Sequence, residues 1–322
     1  MKIEEIKLLL KINGKESEIF LPNEIFSDLQ DYIKDSRHIA FAYSYCYLIQ
    51  FLYRNCKYFN TKVLIDVNVI KRILGYSKSN RTLNYITKKG GLLDEMGYLE
   101  STKNFPMAWS LDSIGGLSFF MASEMDKELL PPVPKMFFLK RPIKAFERVE
   151  QHIKAEGGIE EIEMEGTFYN VSNTHSVGFD VFMYCMANKN LGVVGFYLYS
   201  WLKHKNDLFD GYDVPLATLS FETGIARRTL IKYLDFLKGY NMIEHQFNQE
   251  YFVVGMFDED RKATTYYTNS YSSFLDKPVP FKKMEVMKRE EYLAIKKQER
   301  EEFEKSIPLI PMADIDLAQL PY

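Results

Sequence analysis

Two long apolar stretches dominate the distribution of hydrophobic residues along the chain. The first is an uncharged run from Ile39 to Tyr53, and its apolar positions cover nearly every side of a helix that would end near Arg54. The second runs from about Val193 to Lys205 and has the same character. A helix that is apolar all round belongs in a core, so the pattern predicts two buried helices. The first run is shorter than the roughly 18 apolar residues that indicate a membrane span, and it includes Ser44 and Gln50.

Segments within and after these two helices also correspond to each other, and in the same order. YLIQFLYRN (47–55) matches YLYSWLKHKN (197–206), and RTLNYI at Arg81 matches RTLIKYL at Arg228. Each is followed by a glycine and a short strand-like run, GYLE in one case and GYNMIE in the other. The ordered matches predict one supersecondary unit used twice, here called the first repeat (residues 39–112) and the second repeat (residues 193–257).

Each repeat predicts a buried helix, a short second helix, a tight turn, a third helix and a pair of strands. The third helix is expected over about 78–89 in the first repeat and 226–238 in the second. The strand pairs are YLEST with MAWSLD, and MIEHQF with YFVVGMF. Ahead of the first repeat, residues 5–21 predict a hairpin. This order of elements is that of a winged helix-turn-helix.

The segment LSFETGIARRTLIKYLDFLKGYNMIE (219–244) resembles the winged-helix modules of bacterial DNA-binding proteins. Those modules carry a Thr-Gly turn, an apolar residue, a small capping residue, basic residues, and leucines on the buried face. Ala226 departs from the family pattern, which has Ser or Thr at this cap, and the change costs about 1 kcal/mol of helix capping. The paired arrangement resembles the replication initiators of plasmids and phages. The resemblance implies a fold that is mainly α with small β wings (α+β), made of two winged helix-turn-helix modules in tandem.

The third helix of the second repeat begins with two arginines. Leucines at offsets of four and seven from Leu230 predict its buried face. Cations are unfavourable at a helix N-terminus, so Arg227 and Arg228 need a partner outside the helix, and DNA would supply one. We expect the arginines to read bases and the lysines to hold phosphates, while Asn248 and Gln249 of the wing reach the minor groove. The predicted DNA-binding residues of this repeat are Arg227, Arg228, Thr229 and Lys232.

The first repeat carries a basic segment of its own. Residues 66–89 include six basic residues and one acidic residue, a local charge of +5 in a chain whose net charge is -3. On the predicted third helix, positions at offsets of three, seven and ten from Lys78 form a basic stripe with a tyrosine inside it. The predicted DNA-binding residues here are Lys78, Arg81, Tyr85 and Lys88. Winged helices also serve as protein–protein modules, so dimerisation through one repeat is the alternative to DNA binding by both.

The remaining chemistry of the sequence favours a binding protein over an enzyme. Neither GxxxxGK[ST] nor GxGxxG occurs, and the three cysteines and five histidines show no pairing at metal-ligand spacing. We therefore expect no catalytic residues, no metal and no cofactor. The acidic N-terminus, MKIEEIKLLL, lacks the basic start of a signal peptide, so a cytoplasmic protein without a membrane partner is expected.

These patterns predict non-catalytic, sequence-specific binding of double-stranded DNA, and the resemblance favours a replication initiator of a plasmid or phage. A transcription regulator of a mobile element and a winged-helix protein–protein adaptor are the alternatives. Further partners left open are host replication proteins, through the terminal segment 307–322, and a second copy of the chain in a homodimer. The predicted domains are an N-terminal hairpin with the first module (1–115), a connecting region (116–174), the second module (175–275), and a charged helix with a flexible tail (276–322).

Overall fold

The computed structural model describes residues 1–13, 18–60, 63–111, 117–126, 128, 130, 137–144, 148–153, 156–164, 171–257 and 260–306. They form an α+β structure with small sheets. The chain divides into two compact units, a larger one of Met1–Gln246 and Ala263–Phe281, and a smaller one of Phe247–Lys262 and Lys282–Tyr322. Among the described residues, no helix is both long enough and apolar enough to cross a membrane. The expected partner-binding segment 307–322 lies outside the described residues.

The chain begins with a helix where the sequence predicted one arm of a hairpin. Helix α1 spans Ile3–Leu10. Ile6 and Leu10, four residues apart, are buried together, so this segment follows a helical repeat and not a strand alternation. Strand β1, Glu18–Pro22, pairs antiparallel with the distant strand Thr174–Gly178 and not with the residues before it. The predicted hairpin is therefore wrong.

The described residues from Ile25 to Met164, which include the first repeat, form one long helix and several short elements. Strand β4 (Leu99–Thr102) pairs with β7 (Leu139–Pro142), and strand β5 (Pro106–Leu111) pairs with β6 (Leu117–Met121), both antiparallel. The predicted pairing of YLEST with MAWSLD is therefore wrong. Strands β8 and β9 form a separate antiparallel pair. In chain order the elements are α2 Ile25–Tyr32, α3 Ser36–Arg54, β2 Phe59–Asn60, β3 Val63–Leu64, α4 Val67–Ile73, α5 Asn84–Thr87, α6 Leu92–Glu95, β4 Leu99–Thr102, β5 Pro106–Leu111, β6 Leu117–Met121, β7 Leu139–Pro142, β8 Arg148–Ile153 and β9 Ile159–Met164.

The third helix predicted over 78–89 is interrupted, and only α5 in its second half is α-helical. The Asn80 side chain accepts hydrogen bonds from the backbone N–H and the hydroxyl of Thr82, at 2.9 and 2.7 Å. Such local bonds give the backbone an alternative to helical pairing. At the other end, Gly90 adopts a left-handed φ of 60°. Lys78 and Arg81 therefore lie outside the helix, and the predicted basic stripe does not exist as a helix face.

The described residues from Thr174 to Thr268, which include the second repeat, form four helices and a three-stranded sheet. Strands β11 (Tyr212–Val214), β14 (Thr264–Thr268) and β12 (Ile243–Phe247) lie in that order in the sheet. Strand β12 therefore adjoins β14, a strand that the sequence prediction omitted. Its TTYYT sequence is β-branched and aromatic, a composition typical of strands. The elements are β10 Thr174–Gly178, α7 Phe179–Ala187, α8 Gly192–Leu208, β11 Tyr212–Val214, α9 Leu216–Thr223, α10 Arg227–Gly239, β12 Ile243–Phe247, β13 Tyr251–Val254 and β14 Thr264–Thr268.

The smaller unit contains β13, strand β15 (Glu285–Lys288) and helix α11 (Arg289–Ser306). β13 comes from the predicted run YFVVGMF, but it pairs in parallel with β15, so the predicted pairing of this run with MIEHQF is wrong. Helix α11 is the charged helix expected near the C-terminus, and none of its residues is buried.

The two predicted buried helices, α3 and α8, pack against each other at the centre of the larger unit. Every residue from Ile39 to Tyr53 is buried. Aromatic rings fill the contact: the ring centroids of Tyr43 and Tyr197 lie 5.4 Å apart, and those of Tyr47 and Phe196 lie 4.9 Å apart. Because β1 and β10 also pair, the two repeats share one hydrophobic core.

The imidazole of His175 is buried in this core. Its Nε2 lies 2.7 Å from the Tyr43 hydroxyl and its Nδ1 lies 3.1 Å from Oδ1 of Asn23. The neutral ring satisfies both partners, because Nδ1–H donates to Asn23 while Nε2 accepts from Tyr43. Burial lowers the pKa of His175 to about 3, and the charges of His204 and Lys203 add to this effect.

Acidification should therefore destabilise the fold through His175. Below about pH 6.5 the unfolded chain binds a proton at this histidine that the folded chain excludes, so stability falls as the pH falls. Between about pH 7 and pH 5 this one group should account for a loss of about 2 kcal/mol in the free energy of unfolding. Urea unfolding at both pH values, with His175→Gln as the control, measures it. An equal pH dependence in parent and variant would contradict the assignment.

Candidate nucleic-acid interface

The turn between α9 and α10 is centred on Gly224. This residue ends α9 with a left-handed backbone, at a φ of 64°. The hydroxyl of Thr223 donates to the Leu219 carbonyl at 2.6 Å and accepts from the Ile225 N–H at 3.3 Å. These bonds tie the Thr223 side chain to the backbone on both sides of the turn. They also fix the direction in which the chain enters α10.

Side chains from both repeats hold this turn in place. The Tyr197 hydroxyl, on α8, donates to the carbonyl of Thr223 at 3.0 Å. The side-chain amide of Gln30, on α2, donates to the carbonyl of Glu222. A Cβ at Gly224 would lie only 2.8 Å from Cδ1 of Ile39, at the start of α3. The position of α10 is therefore set by the shared core and not by its own repeat alone.

Gly224→Ala should lower the free energy of unfolding by about 1–2 kcal/mol for the left-handed backbone alone, and the approach to Ile39 should add to this cost. Gly75→Ala is the matched control. Gly75 follows α4 with a φ of 84°, and no atom lies within 4 Å of its added Cβ, so it should show the backbone cost alone. Urea unfolding of both variants gives the comparison. A cost at Gly75 equal to or greater than that at Gly224 would contradict the role of the close approach.

Helix α10 has one buried face and one cationic face. Leu230, Leu234 and Leu237 are buried, as predicted. Ala226 makes no side-chain capping bond, and the first turn contains no acidic residue. The other predicted residues lie toward solvent: Arg227, Arg228 and Lys232 are exposed, and Thr229 is partly exposed.

The cations on α10 differ in their surroundings. Among the described residues, none forms a hydrogen bond or ion pair with the guanidinium of Arg228. The ammonium of Lys232, one turn further along, lies 5.5 Å from the ring centroid of Phe236. That contact holds the lysine against the helix surface while its charge remains in solvent. The start of α10 is thus an exposed positive patch at the N-terminus of a helix, where the macrodipole adds further positive potential.

In the first repeat, three of the four predicted DNA-binding residues line one cleft. The sequence had placed them on one face of a helix. The cleft has a volume of about 420 Å³ and lies between α4 and the segment that leads to α5. Its lining includes Lys78, Arg81 and Lys88. Lys71 of α4 also lines it, and no carboxylate does so among the described residues. The structure therefore brings together cations that the sequence placed on a helix face, and adds one that the sequence prediction did not include.

Lys71 differs from the other cations in the cleft because it is buried, with 3% of its surface exposed. Its ammonium donates to the carbonyl of Asn80 at 2.8 Å and to Oδ1 of Asn84 at 2.7 Å. Both acceptors are neutral, and burial lowers the pKa of Lys71. No local signal in the sequence marks Lys71 for burial, because segment 80–84 covers it only after the predicted third helix has been interrupted.

Two residues that were predicted to contact DNA, Tyr85 and Gln249, have partners within the protein. Tyr85 does not line the cleft, and its hydroxyl lies 3.0 Å from Nδ1 of His38 at the start of α3. Gln249, predicted to lie in the wing, belongs to the smaller unit. There its amide donates to the carbonyl of Tyr251 at 3.0 Å, and its Oε1 accepts from the Lys262 N–H at 2.9 Å. The Gln249 side chain is thus engaged within its own loop.

Within the described ranges, no three His, Cys, Asp or Glu side chains cluster in a way that could hold a metal ion. The basic side chains on α10 and in the cleft are the described groups best suited to contact an anionic ligand. Comparison of the chain with protein-family models, curated proteins and solved structures finds no match in any of the three.

Proposed function

We propose that the protein binds double-stranded DNA sequence-specifically, and that its second repeat acts as a winged helix-turn-helix. The order of elements supports this proposal. Helix α8, strand β11, helix α9, the Gly224 turn, helix α10 and strands β12 and β14 follow the plan of such a module. The strand between the first two helices joins the two later strands in one sheet.

The observation that carries the proposal is the exposed pair Arg227 and Arg228 on the first turn of α10. Helix-turn-helix proteins place the first residues of this helix at base edges in the major groove. Arginine pairs with the O6 and N7 atoms of guanine through two parallel hydrogen bonds, which distinguishes guanine from other bases. Lys232 is exposed one turn later and would hold a phosphate. The lysine would then position the helix on the duplex, while the arginines would read the bases.

The joining of the two repeats supports a role as a replication initiator of a plasmid or phage, acting without catalysis. The helices of both repeats lie in one unit, in which α3 packs against α8 and β1 pairs with β10. An initiator of this kind uses two winged modules in one chain, and the basic cleft of the first repeat would give that module its own contact with the DNA backbone. Because the modules share a core, binding by one would place the other at a fixed distance along the duplex.

Selection of binding sites from a random duplex pool at about 150 mM salt tests the proposal, because nonspecific electrostatic binding is weak at that salt concentration. Enrichment of a defined sequence supports sequence-specific binding. Direct repeats among the selected sites favour an initiator, and a palindrome favours a transcription regulator. If no sequence is enriched and duplex binding shows no salt dependence, the proposal is wrong, and a protein partner becomes the better explanation of the two modules.

A further inference from the structure

Lys71 and Lys140 are two buried lysines of the larger unit with opposite electrostatic surroundings. Both are at most 3% exposed. The ammonium of Lys140 forms an ion pair with Asp94 and donates to the carbonyl of Lys88 at 3.0 Å and to Ser101 Oγ at 2.9 Å. All three of its protons have acceptors, one of them charged. The positive charge of Lys140 is thus balanced within the protein by Asp94.

Lys71 lacks this compensation within the described residues. Its two acceptors are neutral amide oxygens, and they account for two of the three protons on its ammonium. A buried charge is costly unless an opposite charge accompanies it. Lys78, Arg81 and Lys88 line the same cleft and add positive charge to it. The missing counter-charge is therefore expected to come from a ligand in the cleft.

We propose that this cleft binds a phosphate group, with Lys71 at its base and the other three cations around its opening. A phosphate carries up to two negative charges and has several acceptor oxygens, which matches a site with four cations better than a single carboxylate does. Ser79 and Asn84 also line the cleft and offer neutral donors to such oxygens. The phosphate could come from a DNA backbone or from a free phosphorylated molecule. The inference does not rest on the proposed function, because it stands even if α10 reads no DNA.

Neighbouring residues in the chain supply matched controls. Lys71→Met removes the buried charge while keeping a similar stem, and Arg72→Met makes the same kind of change at an exposed neighbour that does not line the cleft. Lys88→Ala and Lys89→Ala form a second pair, since both lysines are exposed and only Lys88 lines the cleft. Lys88 and Lys89 lie on the surface, so their variants should fold even if a change at Lys71 perturbs α4.

The first experiment measures binding of inorganic pyrophosphate to the full-length chain by calorimetry, against sodium chloride at equal ionic strength. The second measures how the affinity for a random duplex varies with salt concentration. If the source is a free phosphate, Lys71→Met and Lys88→Ala should each weaken pyrophosphate binding at least about tenfold relative to their controls. If the phosphate belongs to DNA, Lys71→Met and Lys88→Ala should each reduce the salt slope of duplex binding by about one unit per lost phosphate contact. Arg72→Met and Lys89→Ala should leave the slope close to that of the parent chain.

Either result supports the cleft as a phosphate site and shows whether the phosphate belongs to DNA or to a free molecule. If each cleft variant behaves like its neighbouring control with both probes, the inference is overturned. Site selection by α10 is measured separately. Failure of the cleft variants would therefore leave sequence-specific binding by α10 standing, and loss of site selection would leave the cleft result unchanged.

Discussion

Lys140→Met is expected to lower the free energy of unfolding by about 3–5 kcal/mol. The lysine is 1% exposed and its partner Asp94 is 14% exposed. Removal of the ammonium leaves the largely buried Asp94 carboxylate without its counter-charge, and among the described residues only the N–H of Gly90 and the hydroxyl of Ser101 then donate to it. It also leaves the carbonyl of Lys88 without the Lys140 donor. An unpaired buried charge of this kind is one of the few causes of so large a loss.

Urea unfolding at neutral pH measures this effect, and Lys71→Met is its matched control. The chemical change is the same, but no described carboxylate depends on Lys71, so that variant should cost far less or be neutral. Adding Asp94→Asn to Lys140→Met should recover at least about 1 kcal/mol, because the stranded charge is then absent. Equal costs at Lys71 and Lys140 would contradict the distinction drawn between the two lysines.

The parts of the fold that could be predicted were those marked by strong local patterns. The two buried helices follow from long apolar runs, and α10 follows from leucines at helical spacing after a Thr-Gly turn. The interruption of the third helix in the first repeat was missed, because its leucine and isoleucine positions suit a helix while Asn80 competes for the backbone. Strand pairing was also mispredicted, since β4–β7 and β12–β14 join segments that are distant in sequence.

The candidate site likewise has residues whose positions are encoded locally and residues whose positions depend on tertiary structure. Arg227 and Arg228 are exposed at the start of α10, where the sequence pattern placed them, because the helix and its buried face are locally encoded. The grouping of Lys78, Arg81 and Lys88 around a cleft depends on a loop conformation that periodicity does not describe. The burial of Lys71 depends on that same loop, so sequence reasoning counted its charge but gave it no separate role.

The double variant Arg227→Ala/Arg228→Ala should lose about 2–6 kcal/mol of binding free energy on a selected site, since each bidentate arginine–guanine contact contributes about 1–3 kcal/mol. The loss on random duplexes should be smaller, because there the arginines contribute only their charge. Stability should not suffer, since alanine at a helix N-terminus relieves the unfavourable position of two cations in the macrodipole. Titration of both duplexes at one salt concentration, with thermal unfolding of the variant, measures all three effects.

Lys296→Ala/Lys297→Ala is the control for net charge. It removes two positive charges from helix α11, where both lysines pair with glutamates one turn away. If charge alone governed binding, this control would weaken both duplexes as much as the arginine variant does. An arginine variant that loses equal affinity for selected and random duplexes would assign Arg227 and Arg228 to phosphates and not to bases. An arginine variant that loses none would remove α10 from the interface, and the first repeat would then be the surface to examine for DNA contacts.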